Sequence, residues 1–136
     1  MANMKIEAIE GIGSSYGEKL VEIGIKDSDT LLKTCCTPKG RKDVVAKSGI
    51  SNKLVLKWTN MADLFRINGV GPEFAELLES AGVDTVKELR TRNAENLAEK
   101  MAEVNEVKKL TRRKPTVTIV TDWVNQAKEL APVVEH

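Results

Sequence analysis

The chain has 136 residues, 41% hydrophobic and 30% charged, which is the balance of a soluble globular protein of one domain or two small ones. Twenty-one basic against 20 acidic residues leave a net charge of +1, far from the strongly basic balance of a dedicated DNA-binding domain, although a local basic face remains compatible with it. Aromatic residues make up 4%, too few for a β-sandwich of this length.

The opening "MANMKIEAIEGIG" lacks the apolar stretch of a signal peptide. No window approaches the roughly 20 apolar residues of a membrane span, so no membrane partner and a cytoplasmic location are expected. Cys35 and Cys36 are adjacent, and a bridge between neighbours strains the intervening peptide. They are read as free thiols in a reducing compartment.

Two stretches announce an internal repeat: "IEGIGSSYGEKL" at 9–20 and "INGVGPEFAELL" at 67–78. Gly11 and Gly69 stand 58 positions apart (69 − 11), and the same offset pairs Gly13 with Gly71, Tyr16 with Phe74, Leu20 with Leu78 and Gly24 with Gly82. Further on, "KWTNMADL" at 57–64 answers "DWVNQAKEL" at 122–130, with Trp58 and Trp123 65 apart (123 − 58). The second copy therefore carries an insertion, placed in "NEVKKLTRRKPTVT". The chain divides into residues 1–65 and 66–136.

Within each copy the apolar spacing is helical. In chain order, Tyr16, Leu20, Val21 and Ile23 mark one helix after Gly13, closed by Gly24. Ser28-Asp29 opens a short helix into "TLL", "RKDVVAKSG" forms the next, and Ser51 caps "SNKLVLKWTNMADLF". In the second copy Pro72 sits in the first turn of a helix through Leu77 and Leu78, closed by Gly82. Asp84-Thr85 opens "VKEL", then come "AENLAEKMAEV" and "VTIVTDWVNQAKEL", with Thr118 or Thr121 as N-cap. "TVTIV" at 116–120 is strand-like but has no partner run, and is read as an approach to that last helix. The expected fold is all-α, about five short helices per unit.

In "GIG" and "GVG" the first glycine permits a tight turn and the second a close backbone approach, while Ile12 or Val70 points into the core. Trp58 and Trp123 are expected in the core as well. This pattern resembles the helix-hairpin-helix motif. The longer run "IEGIGSSYGEKLVEIGIKDSDTLL" with "AKSGISNKLVLKW" resembles the helical N-terminal domain of archaeal recombinases and is similar to the C-terminal domain of the bacterial RNA polymerase alpha subunit. "KSGIS" at 47–51 matches their second, degenerate hairpin. The tandem pair also looks like an uncharacterised bacterial domain-of-unknown-function family with helix-hairpin-helix units.

That resemblance implies contact with backbone phosphate of DNA or RNA without sequence readout. In the turn that Gly11 opens, the amides of Ile12, Gly13 and Ser14 would lie at a helix N-terminus, where orphan N–H groups and the dipole favour an anion, with hydroxyl donors from Ser14 and Ser15 and Lys19 about one turn along. At Gly69, Val70 and Gly71 the same role is weakened by Glu73, Glu76 and Glu79. A basic cluster, Lys108, Lys109, Arg112, Arg113 and Lys114, falls in the insertion, and Lys39, Arg41 and Lys42 form a smaller one; either is read as a solvated face or as a seat for phosphate or an acidic partner. No aromatic is interleaved with them, which argues against a single-strand stacking platform.

The one histidine is His136, no Cys/His cluster suits a metal, and the G-x-G turns lie outside any βαβ unit. Neither catalysis nor a cofactor is expected. The alternative reading is a protein–protein adaptor or a self-associating scaffold.

Overall fold

A computed structural model describes residues 3–136. Among them there are eight α-helices and one 3-10 turn, and no strand. The 3-10 turn Ile6–Ala8 precedes α1 (Gly13–Glu22), α2 (Ser28–Cys35), α3 (Pro38–Ser48) and α4 (Asn52–Leu64). Then follow α5 (Pro72–Ser80), α6 (Val86–Leu89), α7 (Ala94–Lys108) and α8 (Val117–Glu129). The expected count of five helices per half is thus four, with the 3-10 turn as an extra short element in the first half.

Six of the eight helices begin on a side chain that accepts the amide three residues on: Asp27, Thr37, Ser51, Thr85, Asn93 and Thr116. Asp27, rather than Ser28, caps α2. Thr116, rather than Thr118 or Thr121, caps α8, so "VTIV" is the first turn of a helix and not an approach to it. Its β-branched residues lower helix propensity slightly, and packing of Val120, Trp123, Val124 and Ala127 overrides that. Helices α1 and α5 end alike: Ile25 N–H reaches Leu20 and Gly24 N–H reaches Val21, while Val83 reaches Leu78 and Gly82 reaches Glu79. This is the Schellman arrangement, and it requires the positive φ of Gly24 and Gly82. Val21, expected on the apolar face of α1, is exposed.

Helix α4 is the hub. It packs on α2, α3 and α5, and eight of its residues, Val55 and Trp58 to Leu64, are buried. Helix α8 packs on α6 and α7. The buried residues of both halves form one hydrophobic cluster. Asp63, 1% exposed, ties them further. One carboxylate oxygen accepts from Arg66 at 2.8 Å and the other accepts the first N–H of α6, at Val86, also at 2.8 Å. Arg66 in turn donates to the carbonyl of Ala131 at 2.7 Å.

Trp58 and Trp123 each hold a G-x-G turn from behind. Trp58 packs on Tyr16 with ring centroids 5.2 Å apart, and Trp123 on Phe74 at 5.1 Å. A Cβ at Gly11 would stand 3.6 Å from the Trp58 indole nitrogen, and one at Gly69 would stand 3.2 Å from that of Trp123. Close approach therefore occurs at the first glycine of each turn, not the second as expected. A Cβ at Gly13 meets nothing within 4 Å, and one at Gly71 meets only Met4 at 3.9 Å. Ile12 and Val70 are buried as expected.

Gly69 combines φ +96° with the tighter indole contact, so Gly69→Ala is expected to cost about 1–3 kcal/mol. Gly11→Ala, at φ +90° with more room, should cost less. Denaturant unfolding of both variants checks this; a Gly69→Ala protein as stable as the parent would show that the indole contact does not constrain the turn.

Candidate nucleic-acid interface

Helices α1 and α5 are the two of the eight with no side-chain N-cap, and each follows a G-x-G turn. At α1, Gly11 and Gly13 have φ of +90° and +63°, and Gly13, Ser14, Ser15 and Lys19 are exposed. No acidic residue stands in its first turn. The Lys19 ammonium lies 6.0 Å from the centre of the Tyr16 ring, at the outer reach of a cation–π contact. The Ile12 N–H, expected to face an anion, is instead spent on the carbonyl of Ile9 at 3.2 Å, so the amides of Gly13 and Ser14 are the donors left at this uncapped end.

The same place on α5 is different. Pro72 occupies the first helical position and has no N–H to give. Glu73 follows in the first turn, and Glu10 lines the same hollow of about 380 Å³ together with Gly71 and Phe74. Two carboxylates and a missing donor make this end unfavourable to an anion. Glu76 and Glu79 play another part than expected. They turn toward α4, where the Lys57 ammonium lies 4.0 and 3.8 Å from their oxygens. Burial raises the Glu79 carboxyl above its ordinary value, against the pull of Lys57.

The basic segment 108–114 is a built loop. Lys109 is the one non-glycine residue with positive φ among the described residues, at +50°, a conformation that costs about 1–2 kcal/mol. Four residues before it, buried Asn105 grips the loop: its side-chain amide donates to the carbonyl of Thr111, and its oxygen accepts the Thr111 N–H, both at 3.0 Å. The Thr111 hydroxyl then accepts the Arg113 N–H at 3.2 Å. The backbone is fixed while the cationic side chains stay exposed. Lys109, Arg112, Arg113 and Lys114 form no ion pair among the described residues. Lys109, Arg112 and Lys114 line a hollow of about 430 Å³ beside Asn105 and Glu106. Sequence reasoning found the cations but missed Asn105 and Thr111, which read as ordinary helix and loop residues.

These two places do not merge into one pocket. Glu10, next to the first turn, adjoins the N-terminal end of α5, whereas Lys108 reaches Ser80 at its C-terminal end, 3.5 Å away. From Pro72 to Ser80 the helix rises about 12 Å. Nor does "TPKGRK" form a free basic face: Arg41 is buried and bonded to main-chain carbonyls, a correction to its reading as a surface charge. Cys35 is buried, which pushes its thiol up to about 11, and neither cysteine is bridged. Among the described residues no group of three or more His, Cys, Asp or Glu side chains is placed to hold a metal, and no helix is long and apolar enough to cross a membrane.

Asn105→Ala should leave the Thr111 amide and carbonyl buried without partners and cost about 1–3 kcal/mol. Hydrogen exchange should then accelerate at Thr111 and Arg113 while the amides of α4 stay protected. Unchanged exchange at Thr111 would mean that Asn105 does not hold the loop.

No curated protein and no solved structure matches the chain. The uncapped α1 turn, the acidic α5 turn and the basic loop all fall within residues 10–130, which match the family described as Domain of unknown function (DUF4332), and the chain belongs to that family.

Proposed function

We propose that the chain is a non-enzymatic, cytoplasmic protein of two helix-hairpin-helix units, residues 1–65 and 66–136, that contacts nucleic-acid backbone phosphate. One observation carries the reading. The α1 N-terminus is uncapped and exposed and has no acidic residue in its first turn, in a chain that caps six other helices with side chains, although Glu10 precedes the turn and Glu7 lies against Gly17. Phosphate oxygens fit such an end, and the serines add hydroxyl donors. The loop 108–114 supplies the second foothold, with five cations in seven residues.

Both footholds are read as contacts to phosphate, which position a protein on a duplex without reading its sequence, so binding should be indifferent to sequence. The α5 turn is left out of the footprint, because Glu73 and Glu10 repel phosphate there.

The second reading, a protein adaptor, draws on that same acidic turn and on Val107. This side chain is 84% exposed next to the basic loop, an unusual place for a large apolar group.

Anisotropy titrations with a short duplex across a salt series separate the two. Binding should weaken with a slope of log K against log salt of about −3 to −5, for four or five phosphates neutralised. Replacing Arg112, Arg113 and Lys114 by Ala should lower that slope by roughly one per lost contact. Ser14→Pro with Ser15→Glu, which copies the α5 turn, should weaken binding further. Absence of micromolar binding at low salt, or a slope indifferent to these changes, would remove the nucleic-acid reading.

A further inference from the structure

Arg41 is a buried cation that forms no ion pair among the described residues. Its side chain is 4% exposed, and its two hydrogen bonds end on main-chain oxygens, of Cys35 at 2.9 Å and Glu135 at 2.6 Å. The nearest acidic residue in sequence, Asp43, is engaged with Lys47 at 3.1 Å. The Cys35 carbonyl closes α2, so the negative end of that helix gives partial compensation. A desolvated ion is nevertheless costly unless an opposite charge meets it. The guanidinium has five N–H donors, and two are used.

Arg41 lines a cleft of about 390 Å³ between α3 and α4, within the size range of small-molecule sites. Its walls are apolar: Pro38 and Val45 on one side, Leu56 on the other. Exposed Lys42 adds a second cation to the lining, which also includes Asn52 and His136. A planar carboxylate matches the guanidinium fork, and an apolar body matches the walls.

We infer that this cleft binds a small organic anion, a carboxylate on a short aliphatic or aromatic body, with the charge at Arg41 and Lys42 and the body against Val45 and Leu56. Phosphate alone would miss the walls, and an uncharged alcohol would leave the guanidinium unmatched. The site is separate from the α1 turn and from the loop 108–114, and stands or falls without them.

Amide chemical shifts of the full chain, titrated with hexanoate, hexanol and inorganic phosphate, test this. Hexanoate should give saturable shifts at residues 41–45 and 52–56, with affinity about tenfold or more above either comparator. Lys42→Ala, an exposed change, should weaken hexanoate about threefold to fivefold. Leu56→Glu, which fills the cleft with a rival carboxylate, should abolish binding. Hexanol binding as well as hexanoate would reduce the cleft to an apolar dent. Equal binding of phosphate would reduce it to a charge site. Shifts centred on residues 108–114, or no saturable shift, would overturn the proposal.

Discussion

The contact of an indole with a glycine backbone sets the rest of the molecule. Trp58 on α4 and Trp123 on α8 each lie against the first glycine of a G-x-G turn and against the aromatic residue of the helix that follows. The turn needs a positive φ there, and the ring needs the absent Cβ. One residue type satisfies both demands. Once the ring is seated, Ile12 or Val70 is driven into the core, and the entry angle of α1 or α5 follows. Burying a Trp is worth several kcal/mol, so these two contacts anchor more than their size suggests. They also leave the outer surface of each turn unconstrained.

That freedom is where the two halves diverge. At the α1 turn the outer surface carries serines and Lys19; at the α5 turn it carries Pro72 and Glu73. The helix dipole is equally present in both. What differs is the number of donors and the sign of the neighbouring charge, and at a few ångströms those terms are as large as any single anion contact. The carboxylate of Glu73 compensates its own helix end internally, whereas α1 has no such partner in its first turn. The loop 108–114 adds cations on a backbone that Asn105 and a strained Lys109 hold in place. The left-handed Lys109 is the C-cap of α7, its N–H bonded to the carbonyl of Asn105, and it turns the chain into the loop.

Much of the scaffold was legible in the sequence, for identifiable reasons. Repeated glycines, 3.6-residue periodicity and capping residues are local signals, and they located the helices, the turns and the buried tryptophans. Residues 116–120 looked strand-like because β-branched side chains favour strands, while burial of one face decides the outcome. The glycine of closest approach was misplaced because the ring that occupies the space comes from 47 positions on (58 − 11), beyond any local pattern. Arg41 and Asn105 were missed for a related reason. Their roles depend on partners such as Glu135, 94 residues away, or on a bracket that composition does not reveal. Charge counts locate cations, but only packing tells which of them face solvent.

The central claim is that one scaffold presents two helix ends of opposite character. Amide chemical shifts during titration with inorganic phosphate at low salt examine it residue by residue. Gly13, Ser14 and Ser15 should move, and Gly71, Glu73 and Phe74 should stay still. Movement at Gly71 to Phe74 equal to or larger than at Gly13 to Ser15 would contradict the account, because the carboxylates at the α5 turn would then not govern what that turn accepts.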